Sequence, residues 1–294
     1  MRVFVTGASG FVGSAIVEEL IRAGHTVLGL ARSDGAADAV TRMGAEVHRG
    51  DLSDLEGLSV GAWECDGVIH TAYNHDFSQF AAAGETDRRA VEALGAALAG
   101  TDRPLVITSA IGLLTPGAPT TEGDAGDPAS PGAVRIPSEH KALTLASEGV
   151  RSSIIRLPPM VHDRTRQGLA TRLIALARQA GVSAYIGDGV NRWSAVHRLD
   201  AAHLYRVALE KGAAGSRYHA IAEDSIRLRE IAEVIGQILN VPVIAISPAK
   251  AAEHFGFLAY FVGSDFQSSS AYTKQTLGWN PMNSGVIADL EPAG

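Results

Sequence analysis

Cysteine is nearly absent from this chain: Cys65 is the only one in 294 residues. A lone thiol excludes an internal disulfide and any cysteine-built metal centre, and a reducing cytoplasm is the simplest home for such a chain. Apolar runs long enough to span a bilayer, on the order of 18 residues, are missing too, so no transmembrane helix is expected. The opening segment MRVFVTGASG lacks the apolar stretch and cleavage site of a secretory signal. Cations are in deficit, with 25 Lys and Arg against 32 Asp and Glu and a net charge of −7. That balance argues against a nucleic-acid partner, which requires clustered positive charge. The aromatic run Phe255–Phe261 (FGFLAYF) is too short for a membrane anchor and has no basic flank, so it reads as core.

Hydrophobic residues are plentiful, at 46% of the chain against 19% charged, which suits a protein with a large core. Short runs dense in Val, Ile and Leu alternate with longer helical patterns. The runs at Arg2–Thr6, Thr26–Ala31, Glu46–Arg49, Gly67–Thr71, Pro104–Ser109 and Ser152–Arg156 read as strands covered on both faces. Gly13–Ala23, Ala36–Met43, Asp76–Ala99 and Ser138–Glu148 read as helices between them. The alternation predicts an α/β fold with a Rossmann-type doubly wound parallel sheet. Thr115–Pro131 holds four prolines and reads as a loop. After Arg156 the rhythm becomes irregular, with a helix near Gln167–Ala180, a strand at Arg217–Ala222 and a helix at Leu228–Leu239.

The first predicted strand runs into Gly7-Ala8-Ser9-Gly10-Phe11-Val12-Gly13 and then a helix. Each glycine has a physical task. Gly7 permits a tight turn, Gly10 lets backbone approach a pyrophosphate, and Gly13 lets the helix lie close to the strand. The helix N-terminus then presents free N–H groups and a positive dipole end to the phosphates. Gly7, Ser9, Gly10, Phe11, Val12 and Gly13 are therefore candidate contacts to a dinucleotide. A glycine-rich turn without a ligand is the bland alternative, but placement between a strand and a helix favours the dinucleotide. At the end of the second strand, Ala31 supplies no carboxylate for a ribose diol. Arg32 can stack on adenine and pair with a 2′-phosphate, and Ser33 adds a donor, so NADP(H) is expected over NAD(H). The competing reading gives the ribose to Asp34. Asp51, followed by Leu52, could meet the adenine amino group or cap the next helix.

The stretches VTGASGFVG, GDLSD, VIHTAY, LVITSA, SEHKAL and RLPPMV, followed by AVHRLDAAHLYRVALE, YHAIAE and KQTLGWNP, resemble the short-chain dehydrogenase/reductase superfamily. The likeness is to its extended and atypical, epimerase/dehydratase-like branches and spans nearly the whole chain. It implies a dinucleotide-binding part at 1–157 and 194–223, and a smaller discontinuous substrate lobe at 158–193 and 224–294. It also implies that Ser109 is the catalytic serine and that Lys141 grips the nicotinamide ribose. Thr71 and Ala72 would pass the inner ribose, and Pro158 to Val161 would meet the nicotinamide amide. Homodimers through the helices at Asp76–Ala99 and Ser138–Glu148 would fit the same resemblance.

One position departs from that pattern. The residue four before Lys141, where such an enzyme carries a tyrosine, is Pro137, which suits the first turn of a helix and has no acidic proton. Tyr73, after the fourth strand, is the first substitute as proton donor. Ser138, on the same helix face as Lys141, is the second. His75, His140, His162 and Tyr185 are weaker candidates. His197, Asp200 and His203 lack a third convergent ligand for a metal and read as structural, so no metal is expected. The expectation is an NADP(H)-dependent oxidoreductase acting on a carbonyl or alcohol of a small organic molecule. A non-catalytic NADP(H)-binding sensor, and an epimerase- or dehydratase-type enzyme, stand as alternatives.

Overall fold

The computed structural model describes residues 1–76, 79–165 and 167–291. Seven strands form one parallel sheet: β1 (Arg2–Thr6), β2 (Thr26–Ala31), β3 (Glu46–Arg49), β4 (Gly67–His70), β5 (Pro104–Ala110), β6 (Arg151–Leu157) and, further along the chain, β10 (Ser216–His219). Their order across the sheet is β10-β6-β5-β4-β1-β2-β3. The winding direction reverses between β1 and β4, and the crevice at the carboxyl ends of such a pair is where ligands bind in open α/β sheets.

Helices cover both faces, as the Val/Ile-rich strands require. On one side lie α3 (Leu55–Trp63), α4 (Phe80–Leu98) and α5 (Ile136–Ser147). They bury Leu58, Leu94, Leu98 and Leu145 against Phe4, Val68, Leu105 and Ile154. On the other side α1 (Phe11–Arg22) packs beside α7 (Arg198–Lys211), with Ile16, Leu20, Leu204 and Tyr205 over Val3, Val5 and Ile69. The Glu19 carboxylate ties that pair, accepting from Arg206 Nε at 2.8 Å and meeting His203 Nδ1 at 3.2 Å. Helix α2 (Asp34–Arg42) closes the sheet near its β3 edge.

The chain after Leu157 builds a second cluster. Strands β7 (Met160–His162), β9 (Arg192–His197) and β11 (Glu223–Arg227) form a three-stranded sheet, and β8 (Ser183–Ile186) pairs with β12 (Val243–Ile246). Helices α6 (Leu169–Ala180), α8 (Leu228–Leu239), α9 (Ala251–Phe255), α10 (Ala259–Gly263) and α12 (Val286–Leu290) wrap them. Strand β9, placed from residue 194 in the dinucleotide-binding part by the sequence, thus hydrogen-bonds within this smaller sheet. Phe255, Leu258 and Val262 of the aromatic run are buried, while Phe257 and Tyr260 face solvent. The proline-rich loop is fastened rather than loose. Glu122 accepts from the Thr273 amide and hydroxyl at 2.8 and 2.6 Å, where α11 (Ala271–Leu277) begins.

Helix starts differ from the sequence reading by up to four residues and helix ends by at most one, and α3 and the short helices α9 to α12 were not anticipated. Helix α3 reads LEGLSVGAW, where two glycines blur the pattern. Gly61 is there because its Cβ would lie 2.6 Å from the Phe4 ring. The helix expected at Asp76–Ala99 runs from Phe80 to Leu98, with Phe77 and Ser78 outside the described residues.

The β1–α1 junction confirms the need for glycine at two positions. Gly7 has φ +70°, and a Cβ there would sit 2.7 Å from the Ala72 nitrogen and from Thr71 Oγ1. A Cβ on Gly13 would lie 2.0 Å from the Gly7 carbonyl oxygen, so the first turn of α1 touches the strand end directly. Replacing Gly13 by Ala forces this contact apart. Urea unfolding should show a stability loss of about 1–3 kcal/mol, the usual cost of overpacking. A loss below about 0.5 kcal/mol, within the range of a neutral surface change, would contradict the tight junction.

Candidate active site

Helix α1 starts at Gly10, whose side chain offers no cap, and its first turn carries no acid. Gly10 donates to the Gly7 carbonyl at 2.9 Å, which closes the turn. The amides that follow face the carboxyl edge of the sheet, as an anion site requires. Ser9 and Gly10 are exposed, and Phe11 and Val12 are half-buried. Thr71 and Ala72 lie directly against Gly7. Past the buried Pro158, Val161 comes to the same place: a Cβ on Gly168 would sit 3.3 Å from its carbonyl oxygen and 3.9 Å from the Phe11 ring. The structure therefore brings the glycine loop, Thr71, Ala72 and Val161 together.

One cation here was not foreseen. The Arg198 guanidinium lies 5.3 Å from the Phe11 ring centroid, donates to the Phe11 carbonyl at 3.3 Å, and pairs with Asp163 at 2.6 Å. As the first residue of α7 it carried no local signal, because its partners lie far away in the sequence.

At the end of β2, Arg32 is exposed and the Ser33 hydroxyl accepts from Ala36 N at 3.3 Å, capping α2. The cap uses a lone pair and leaves the hydroxyl proton free to donate. Asp34, the competing ribose ligand, reaches Arg49 at 2.5 Å. Asp51 accepts from the Ser53 amide and hydroxyl at 2.7 and 2.6 Å. The Ser53 hydroxyl, then the Ser53 amide, and least of all the Arg32 charge hold its carboxyl below the ordinary range. The cap of α3 is Asp54 rather than Asp51, accepting from Gly57 N at 2.9 Å. Leu52 packs partly buried beside that helix's core.

A buried polar chain runs from this loop to α5. The Thr6 hydroxyl accepts from the amides of Thr71 and Ala72, both at 3.2 Å, and lies 2.8 Å from His70 Nδ1. Both lone pairs are spent, so its one proton goes to Nδ1. His70 therefore donates through Nε2 to Asp87 Oδ1, at 3.2 Å. The other Asp87 oxygen accepts from the Ser138 hydroxyl. Arg135 NH1 stands 3.8 Å from Asp87, and its NH2 donates to the Thr108 carbonyl. Burial alone would push the Asp87 carboxyl up, but the Arg135 charge and the His70 hydrogen bond hold it below its ordinary value.

Tyr73 stands at the mouth of this chain. The Arg135 guanidinium lies 4.2 Å from its ring centroid, and His75 meets the ring edge-on at 5.4 Å. Its hydroxyl is buried and meets the Arg135 guanidinium but no acceptor among the described residues. Burial raises its pKa, with Arg135 opposing. Ser109, near the end of β5, has a buried hydroxyl close to the Glu139 carboxyl. It lies beside Glu139, which is clamped by Arg156 through 2.8 and 2.7 Å bonds. Burial would raise the Glu139 carboxyl, but Arg156 above all draws it down, with help from the nearby Ser109.

Ser138 is buried and committed to Asp87 rather than turned to an open cleft. Lys141 is not brought to the loop. It reaches along α5 to Glu148 at 3.5 Å, at the end of the helix remote from the carboxyl edge of the sheet. Pro137 is exposed in a groove with Phe80, Gly84 and Val134. The face of α5 turned to the sheet carries Arg135, Ser138, Glu139, Ala142 and Leu145. The apolar pair Ala142 and Leu145 was the signal that would have set this face, and it passes through Arg135 and Glu139 instead of Pro137 and Lys141. Asp200 and His203 serve structure. Asp200 accepts from Met282 N, Asn283 N and Asn283 Nδ2, and His203 meets Glu19.

The sequence matches the model of the NAD dependent epimerase/dehydratase family over residues 3–222. An uncharacterized protein of Schizosaccharomyces pombe is 48% identical over 294 residues, covering 99% of this chain and 98% of that one. The decarboxylating sterol-4-alpha-carboxylate 3-dehydrogenase of Dictyostelium discoideum is 27% identical over 78% of this chain and 73% of its own. Among solved structures, dTDP-glucose 4,6-dehydratase of Streptomyces venezuelae, with NAD bound, superposes with TM-score 0.78 at 20% identity, covering 99% and 96% of the two chains. At that identity the superposition speaks for the fold.

Asp87→Asn should cost about 3 kcal/mol at pH 7, since it leaves buried donors facing an amide. A depressed folded pKa means the Asp87 charge stabilises fully above the ordinary carboxylate value and is lost as pH falls through the folded one. Urea midpoints of the variant should therefore fall less between pH 5 and pH 3 than those of the native chain. Parallel acid limbs would contradict the buried pairing.

Proposed function

The chain belongs to the NAD-dependent epimerase/dehydratase family, and on that premise we propose that it is an NADP(H)-dependent oxidoreductase interconverting a carbonyl and an alcohol on a small organic molecule. Family membership supports oxidoreductase-type chemistry with a nicotinamide dinucleotide. The residues present fit that group: the backbone cradle at Gly7 and Gly13 has no room for a Cβ, and the amides opening α1 are free of acid. Gly7 to Gly13 would hold the pyrophosphate with help from Arg198, and Thr71, Ala72 and the Pro158–Val161 segment would line the nicotinamide half. When bound, the nicotinamide supplies or accepts a hydride.

The observation that carries the reading is the buried phenol of Tyr73, which meets the Arg135 guanidinium but no acceptor for its own proton among the described residues. A buried hydroxyl proton without an acceptor calls for an explanation, and a substrate oxygen beside it is one. As the carbonyl carbon gains a hydride, its oxygen takes the Tyr73 proton, and water later restores the phenol. A phenol kept above its ordinary pKa by burial is fully protonated at neutral pH, which suits the reductive direction. Ser109, whose buried hydroxyl lies beside Glu139, would hydrogen-bond the substrate. Lys141 in its ion pair with Glu148 favours the sensor reading, since no such lysine then grips a ribose. NADPH oxidation across diverse aldehydes and ketones separates the two. Turnover lost in Tyr73→Phe supports the enzyme, and absence of any turnover supports the sensor.

The preference for the phosphorylated coenzyme rests on Arg32 with Ser33. Arg32→Ala should weaken NADPH by roughly 10- to 100-fold while leaving NADH within about threefold, as expected for loss of a charge-assisted pair. Calorimetric titration reads both, and equal losses for the two coenzymes would remove Arg32 from the choice.

A further inference from the structure

The N-cap of helix α5 and the position four residues on both face inward, at the spacing that in the resembling enzymes separates the acid tyrosine from its lysine. Here they hold Arg135 and Glu139, both buried. The phenol comes instead from the other side of the crevice, from Tyr73 after β4, and the cation comes from α5. The roles have exchanged elements while the chemistry of the pair, a phenol beside a fixed positive charge, is retained.

Resting on the reading of Tyr73 as proton donor, we infer that Arg135 is its positioning residue: the guanidinium lies on the ring, orients it, and stabilises the phenolate left when the proton has gone. Four observations carry this. The Arg135 Cζ sits 4.2 Å from the Tyr73 centroid, within the range of a cation–π contact. Arg135 is anchored, with NH2 on the Thr108 carbonyl and NH1 toward Asp87, so its plane cannot wander. The Arg135 side chain also reaches the Tyr73 phenol oxygen, which it can only donate to, so the phenol proton meets no acceptor among the described residues. Finally, Asp87, the anion that would oppose a phenolate, has each oxygen already occupied, by His70 and by Ser138. Glu139, the other inward charge, is neutralised by its two bonds to Arg156. Arg135 is thus the cation in direct contact with the ring, and Thr6, His70 and Asp87 hold it in line with the loop that would carry the coenzyme.

The exchange also accounts for Lys141. With the cation supplied by Arg135, a lysine on the exposed side of α5 has no catalytic duty and is free to pair with Glu148.

The test is a titration of the phenol itself, independent of turnover. Protein labelled with tyrosine carrying 13C at Cζ is followed by NMR from pH 8 to pH 11.5, with the Tyr73 resonance assigned by its loss in Tyr73→Phe. Compared with the native protein, Arg135→Met should ionise Tyr73 at least one pH unit higher, because the stabilising charge is gone. Arg135→Lys, which keeps a cation and preserves the fold should the methionine variant fail, should shift the midpoint by less than half a unit. A Tyr73 resonance that titrates alike in native and variant proteins, or in neither, overturns the inference. Failure of the functional reading would appear elsewhere, as absent NADPH oxidation, and does not alter this titration.

Discussion

The hydroxyl of Thr6 is the smallest group on which the arrangement depends. It sits at the last residue of β1, where the sheet reverses its winding, and accepts from the amides of Thr71 and Ala72 while facing His70 Nδ1. One oxygen therefore fixes three things: the closeness of the chain after β4 to the glycine loop, the tautomer of His70, and through it the orientation of Asp87. Because Asp87 receives a hydrogen bond from Ser138 and stands beside Arg135, the position of α5 follows as well. The crevice at the switch point and the phenol beside it are joined through Arg135, which stands by Asp87 and lies on the Tyr73 ring.

That body is costly to assemble in a protein interior, since each buried charge must recover its lost hydration from partners. The chain meets the cost by strict pairing. Asp87 is shared among His70, Ser138 and Arg135; Glu139 is clamped by Arg156; and Arg156 also donates to the Asp124 carbonyl at 2.9 Å. Against such thorough satisfaction the exceptions carry information. Nine buried side-chain polar atoms lack a hydrogen bond among the described residues, and three of them, the Tyr73 and Ser109 hydroxyls and the Arg135 Nε, belong to residues that follow β4, end β5 and open α5. Two of them belong to groups that could move or steady a proton.

Much of this was legible in the sequence because it is local. Strand runs such as Arg2–Thr6 and Thr26–Ala31 are covered on both faces, so their apolar density shows without knowledge of the fold. The glycine loop is legible for the same reason, as the left-handed turn at Gly7 and the contact of Gly13 with the Gly7 carbonyl both lie within seven residues. Helix α3 was hidden because two of its three buried positions, Gly61 and Ala62, are small: Gly61 sits against the Phe4 ring, a contact that only the fold supplies. The face of α5 was set from Lys141, a single charged residue, whereas burial is decided by neighbours such as Ala142 and Leu145. Arg198 and Asp87 were missed because their meaning lies in partners on other elements. Tyr73 could be named from its place after β4, but nothing in the sequence announced the arginine lying on it.

The account stands on the opening of α1 as a diphosphate site read beside a cation that selects the phosphorylated coenzyme. Isothermal titration of the native protein with NADPH, and separately with NADH, tests this most directly. It should give one saturable site per chain for NADPH, bound at least tenfold more tightly than NADH. No heat of binding for either nucleotide, or tighter binding of NADH, would contradict it.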